Sequence, residues 1–270
     1  MKRIHDVNFR ILSEVDRVCK KNNVSCFLDS GTLLGAVRHQ DFIPWDDDVD
    51  ILVKREDLSR FLESMRTDLG EEYEVVMPDE YNGHFFDFIP RIELKNSQRR
   101  NPTEEDTFYG NKQNKICVDV FILDKIPEGK FGQICQVLWT KAIYGLAMGH
   151  RYSIDYSSYS AANRVMIGVL SSVGKRMKLE TIMRMQEKRA LKYDKTKSKC
   201  RMVSNYPLAF VDICYREEWF AGTVELKMHG ASFGCPAGYD EILTATYGDY
   251  MKLPPKEQQV PEHNITELKY

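Results

Sequence analysis

Several absences narrow this sequence before any motif does. Its 270 residues hold 38 Lys and Arg against 40 Asp and Glu, a formal net charge of -2. No global excess of charge therefore marks nucleic acid or an acidic membrane as the partner, and nucleic acid is not expected. The seven cysteines (Cys19, Cys26, Cys117, Cys135, Cys200, Cys214 and Cys235) form no C-x-x-C pair. They are odd in number and several sit in apolar runs, a pattern of free thiols in a reducing compartment. The opening Met1-Lys2-Arg3-Ile4-His5-Asp6 turns amphipathic rather than into an apolar signal core, so the expected location is cytoplasmic. The most apolar later stretch, Phe131 to Met148, is interrupted by Lys141 and too short to cross a bilayer, which predicts a buried or surface-docked helix. Internal repeats and low-complexity tracts are also missing.

What is present is a strong periodicity. Ile4, Val7, Ile11, Val15 and Val18 recur at helical spacing until Asn22-Asn23 break the pattern, which predicts an opening amphipathic helix. Val24 to Leu28 reads as a strand, Ser30-Gly31 as a turn and Thr32 to His39 as a short helix. Val49 to Val53 reads as a strand, Leu58 to Leu69 as a helix and Ile116 to Leu123 as a strand. Strands set between helices predict an α/β or α+β fold with its sheet core in residues 1–130. Residues 131–205 are expected to add a helical subdomain, with Tyr152 to Tyr159 as a loop. Residues 206–270 are expected to wrap the core, with Pro236 to Pro261, rich in Pro, Gly and Tyr, as ordered loops. Between Lys175 and Arg201, eleven Lys or Arg stand against three Asp or Glu. That segment suits a solvated helix face, or an anionic polymer, or a peripheral contact with the inner face of a membrane.

Chemistry concentrates at Asp46-Asp47-Asp48-Val49-Asp50, where four carboxylates fall within five positions directly before the apolar Ile51-Leu52-Val53. Such crowding repels itself unless a cation sits among the oxygens. Strand alternation would put Asp48 and Asp50 on one face and Val49 and Ile51 on the other. Hard oxygen ligands of this kind suit Mg²⁺ or Mn²⁺. An EF-hand loop starting at Asp46 fails, because Ile51 stands where the turn needs Gly. A solvated acidic loop and a metal motif of the D-x-D glycosyltransferase type remain open on these residues alone. Upstream, Leu28-Asp29-Ser30-Gly31-Thr32 joins a strand to a helix start through small residues, which lets a phosphate approach free backbone amides. A phosphate cradle beside a metal site supplies the two parts that phosphoryl transfer from a nucleotide needs.

Residues 27–53, FLDSGTLLGAVRHQDFIPWDDDVDILV, resemble the signature of the LicD family. That family belongs to the nucleotidyltransferase fold and includes bacterial phosphocholine transferases and relatives of fukutin. The likeness extends more loosely through Val118 to Asp124 and Tyr247 to Pro255. It implies a nucleotidyltransferase-like mixed sheet and a transferase for phosphocholine that takes CDP-choline or a related CDP-linked donor. It also implies Mg²⁺ (or Mn²⁺) and a sugar hydroxyl acceptor on teichoic acid or lipopolysaccharide, lipid-linked or as an oligosaccharide. Carried over by position, Ser30 and Gly31, with Thr32 beside them, would hold the donor phosphates, while Asp48 and Asp50 would bind metal. The family often has Gly where Ser30 stands. Its C-terminal tail often carries more histidine than the single His263 here, so that end is given no catalytic weight.

Asp119 is the expected third carboxylate, as catalytic group and metal ligand. It is the only charge between Lys115 and Asp124, where a buried, unpartnered charge would be costly. The bland alternative is a carboxylate that caps backbone amides. Arg38 reads equally as a phosphate clamp or a helix-end cap, and His39 as structural. Trp45, Tyr81, Phe85, Phe86, Phe88 and Tyr109 are candidates to face a quaternary ammonium. The same machinery with a ribitol or glycerol phosphate donor, or a catalytically silent nucleotide-binding protein, are the alternatives to phosphocholine transfer.

Overall fold

A computed structural model of the chain describes every residue except 209, 262–264 and 266–267, and gives no side-chain placement at 158 and 162. His263 lies outside the described residues. The opening helix α1 (Lys2–Asn22) buries Ile4, Val7, Ile11, Val15 and Val18, the stripe its sequence spacing predicts, and Asn23 closes it in the left-handed conformation at φ 52. A non-glycine residue adopts that conformation most readily when it is Asn or Asp, which explains the helix stop.

A seven-stranded mixed sheet forms the centre. The short β1 (Phe27–Leu28) pairs antiparallel with β2 (Asp50–Lys54), and β2 pairs parallel with the ten-residue β5 (Cys117–Ile126). On its other edge β5 is shared. Its start pairs with β4 (Arg91–Leu94), which carries β3 (Tyr73–Val76), and its end pairs with β6 (Cys200–Val203), which carries the two-residue β7 (Tyr215–Arg216). Helix α2 (Ser30–His39) links β1 to the β2 approach, and α3 (Arg55–Asp68) follows β2. The main core gathers Ile51, Val53, Val118 and Val120 from the central strands with the buried stripe of α1. The sheet and helices form an α/β fold with parallel and antiparallel pairs.

Beyond β5, α5 (Lys130–Ala147), α6 (Ala161–Gly174) and α7 (Leu179–Ala190) pack together after the short α4 (Glu104–Phe108). Their own small core joins Ile143, Ala147 and Ile182 to Phe85 and Phe88. One expectation changes. Residues 236–261 are not only loops, since they hold the helix α8 (Tyr239–Tyr247); just before them β8 (Thr223–Met228) and β9 (Ala231–Pro236) form a hairpin. The helix from Lys130 is surface-docked rather than buried: Ile143 and Ala147 pack inward while Phe131, Ile134, Leu138 and Trp139 stay exposed.

Candidate active site

The register of two strands fixes the centre of the site. Asp50 opens β2 directly opposite Asp119 on β5, so their side chains leave the sheet side by side on one face. Asp48 lies just before β2 and reaches the same cleft from the preceding loop. That loop is held from beneath by α1, where His5 Nε2 lies 2.8 Å from the Asp46 carbonyl and Asn8 donates to the Asp47 carbonyl at 3.2 Å. His5 and Asn8 are therefore buried polar residues of α1 with a task that the helical pattern does not disclose.

On the next strand, the Asp29 amide bonds the Asp50 carbonyl at 3.1 Å, and the chain turns into α2 at Ser30. Ser30 has φ 47, a left-handed conformation that costs a side-chain-bearing residue about 1 kcal/mol and explains why Gly suits this position. Gly31 leaves room for the Asp46 carboxylate: a Cβ there would lie 2.5 Å from Asp46 Oδ2 and would displace it. Ser30 donates to the Tyr206 hydroxyl at 3.2 Å, and Tyr206 donates to Asp29 Oδ2 at 2.5 Å. Burial pushes the Asp29 carboxyl up to about 6, although both hydroxyls favour its carboxylate form.

Ser30, Gly31, Arg38, Trp45, Asp48, Asp50 and Asp119 all line one cleft of about 980 Å³. Thr32 does not line it. Thr32 is buried, and its hydroxyl accepts from the Asp50 amide at 2.9 Å, so it positions Asp50 instead of meeting substrate. Arg38, in the last turn of α2, donates to the Tyr250 carbonyl at 2.9 Å and still lines the cleft, which joins its two expected roles. His39 lies beside Trp45, with ring centroids 6.3 Å apart.

Several cleft residues have no counterpart in the sequence expectations. Arg91 is buried and grips Asp87 (Nη2 to Oδ2, 2.6 Å) and Asp119 (Nε to Oδ1, 2.9 Å). Asp119 is thus ion-paired within the protein, and this relieves the burial cost that the sequence assigned to a metal or acceptor. Arg99 is 7% exposed; its Nη2 donates to Cys117 Sγ at 3.1 Å, and among the described residues its Nε has no partner. Tyr247, Asp249, Tyr250 and Lys252, from the Tyr247 to Pro255 stretch that shares the family likeness, also line the cleft. The only sequence signal for the arginines is the polar Ser97-Gln98-Arg99-Arg100 run.

The aromatic candidates divide. Phe85 and Phe88 belong to the helical core. The faces of Tyr81 and Phe86 meet Arg91, and that of Phe85 meets Arg151. Phe86 and Tyr109, with Tyr144, line an annex of about 240 Å³ that shares Phe86, Asp87 and Glu105 with the main cleft.

The donor set fits a hard divalent cation at Asp48 and Asp50. Burial first, then the charges of Asp48, Asp119, Asp29 and Asp46, push the Asp50 carboxyl well above the usual carboxylate range. A cation reverses that penalty. Among the described residues no three Asp, Glu, His or Cys side chains converge into a complete cage. Mg²⁺ does not require one, because it commonly takes one or two carboxylates together with water and substrate phosphates.

Residues 23–128 match the LicD/FKTN/FKRP nucleotidyltransferase domain. The chain is 28% identical over 265 residues to the lipopolysaccharide cholinephosphotransferase LicD of Haemophilus influenzae, covering 95% of this chain and 93% of that protein. Shorter matches join it to uncharacterized proteins of Rickettsia typhi (45% identical over 53 residues, 20% of this chain and 17% of that one) and Rickettsia prowazekii (47% over 49 residues, 18% of each).

Proposed function

We propose, from the match of residues 23–128 to the LicD/FKTN/FKRP nucleotidyltransferase domain, that the protein is a phosphotransferase moving phosphocholine from CDP-choline to a sugar hydroxyl. The acceptor is a cell-surface glycopolymer precursor, lipopolysaccharide or teichoic acid, and CMP is released. The near-full-length likeness to a lipopolysaccharide cholinephosphotransferase supports the reaction class. The observation that carries the reading is one cleft in which Asp48, Asp50 and Asp119 stand beside Arg38, Arg99 and the Ser30-Gly31 turn.

In this reading the donor diphosphate lies between the Ser30-Gly31 turn and the cations Arg38 and Arg99. The acceptor oxygen attacks the β-phosphorus in line, the new O–P bond forms as the bond to the α-phosphate oxygen breaks, and CMP leaves. Asp119 takes the acceptor proton on a lone pair that Arg91 does not use, and Arg91 keeps it aimed. Mg²⁺ or Mn²⁺ held by Asp48 and Asp50 would offset the charge that builds on the diphosphate. Tyr206, Asp29 and Thr32 hold the turn and the Asp50 backbone in place.

The test is phosphorus NMR of CMP release from CDP-choline with Mg²⁺ and a lipopolysaccharide-derived oligosaccharide. Release that depends on acceptor and stops in Asp48→Asn is expected. Absence of release under these conditions rejects the assignment. A polyol phosphate donor is the second reading, favoured because Arg91 and Arg151 already cover the aromatic faces of Tyr81, Phe85 and Phe86. CMP release from CDP-ribitol or CDP-glycerol alone would establish it.

A further inference from the structure

The outer side of the helical region is apolar and uncovered. On α5, Phe131 (82% exposed), Ile134, Leu138 and Trp139 recur at helical spacing, and on α6 Val165 (69%), Met166, Val169 and Val173 do the same. The two helices touch at backbone level: a Cβ on Gly174 would fall 1.8 Å from the Leu146 carbonyl oxygen, and Gly145 packs on Leu170. Two apolar stripes on abutting helices make a patch rather than isolated exposed side chains, and such patches mark interaction sites.

Charge selects the partner. From residue 129 to 179 the sequence holds seven Lys or Arg and one acid, Asp155. Lys130, Arg164, Lys175, Arg176 and Lys178 are exposed; among the described residues none of these five has a carboxylate within ion-pair distance. A second copy docked face to face would set these cations against themselves. No helix of the described residues is long and apolar enough to cross a bilayer, whereas an amphipathic pair with Trp and Phe at its apolar face and Lys and Arg around it suits the headgroup region. On its inner side α5 gives Tyr144 to the annex that opens on the catalytic cleft.

We propose that α5 and α6 dock the protein peripherally on an anionic phospholipid bilayer, with Leu138, Trp139, Val165 and Val169 entering the headgroup boundary and Lys130, Lys175, Arg176 and Lys178 meeting lipid phosphates. Docked this way, the cleft sits beside the surface that would carry a lipid-linked acceptor. The docking does not depend on which donor the cleft takes.

The test is sedimentation of the full chain with vesicles of phosphatidylcholine, with and without phosphatidylglycerol, together with quenching of Trp139 by brominated lipid. Binding to the anionic vesicles is expected, with quenching that Trp139→Phe removes. The double variant Leu138→Glu with Val169→Glu should bind at least about tenfold more weakly at an unchanged melting temperature. Should that variant fail to fold, Lys175→Gln with Arg176→Gln, both solvent-exposed, decides the matter by losing about tenfold on anionic vesicles. Full-strength binding by either variant overturns the proposal. So does a dimer in solution that Leu138→Glu dissociates while vesicle binding is absent, which would make the face a contact between copies.

Discussion

Replacing Arg99 by Met separates a ligand-binding arginine from a structural one. A structural buried arginine leaves its carboxylate partner uncompensated when removed, at about 3–5 kcal/mol of stability. Among the described residues Arg99 has no such partner: its guanidinium reaches only the Cys117 thiol there, and its Nε is unsatisfied although the residue is 7% exposed. Burial opposes its charge, and the fields of Cys117, Asp119 and Asp48 support it. Removing the cation therefore relieves one penalty and exposes another, so Arg99→Met should stay within about 2 kcal/mol of the parent in urea unfolding. A donor diphosphate would supply the acceptor that Nε lacks. A charged hydrogen bond contributes about 1.5–3 kcal/mol, so CDP measured by calorimetry with Mg²⁺ should bind about 10-fold to 150-fold more weakly. Arg99→Lys keeps the charge but not the fork and should fall between. A loss of more than about 3 kcal/mol of stability with unchanged CDP affinity would refute the clamp.

Three other variants probe the surroundings. Asp50→Asn should keep or raise the melting temperature while CMP release falls to background, because burial and neighbouring carboxylates already oppose its charge; turnover like that of the parent would remove Asp50 from the site. Arg91→Ala should cost about 3–5 kcal/mol in urea unfolding, since it strands Asp87 and Asp119 together; a loss below about 1 kcal/mol would show the pair to be dispensable. Glu93 is fully buried, neither of its oxygens has a hydrogen-bond partner among the described residues, and burial pushes its carboxyl up from 4.5 to about 8. Between those values the folded state holds a proton that the unfolded state lacks, so stability falls as pH rises through the window and levels off above it. Glu93→Gln should flatten that fall in denaturation series from pH 5 to 9, and an unchanged slope would place the titration elsewhere.

The carboxylate cluster is legible because it lies in one contiguous stretch. Alternation predicts Asp48 and Asp50 on one face and Val49 and Ile51 on the other; both aspartates line the cleft and both apolar residues are buried, although β2 itself begins only at Asp50. Asp48 reaches the cleft from a loop whose shape depends on His5 and Asn8, about forty residues earlier. Strand β4 is not legible in the sequence for a related reason. Its four residues, Arg91 to Leu94, are all buried, including two charges, so neither alternation nor an apolar run announces it. Arg91 is stable there only because Asp87 and Asp119 meet it in three dimensions.

The same division runs through the whole site. Segment 27–53 supplies the turn and the carboxylates, which local sequence can show. The groups that set their charge and position come from afar: Tyr206 on Asp29, Arg91 on Asp119, the Tyr250 carbonyl on Arg38. A relative can therefore keep the 27–53 motif intact and still differ in catalysis, if the residues matching Arg91, Arg99 or Tyr206 change. Motif identity reports the reaction class. The long-range partners set the charge and position of those groups, and on α5 it is likewise the packed neighbours, not the apolar run, that decide which side stays bare.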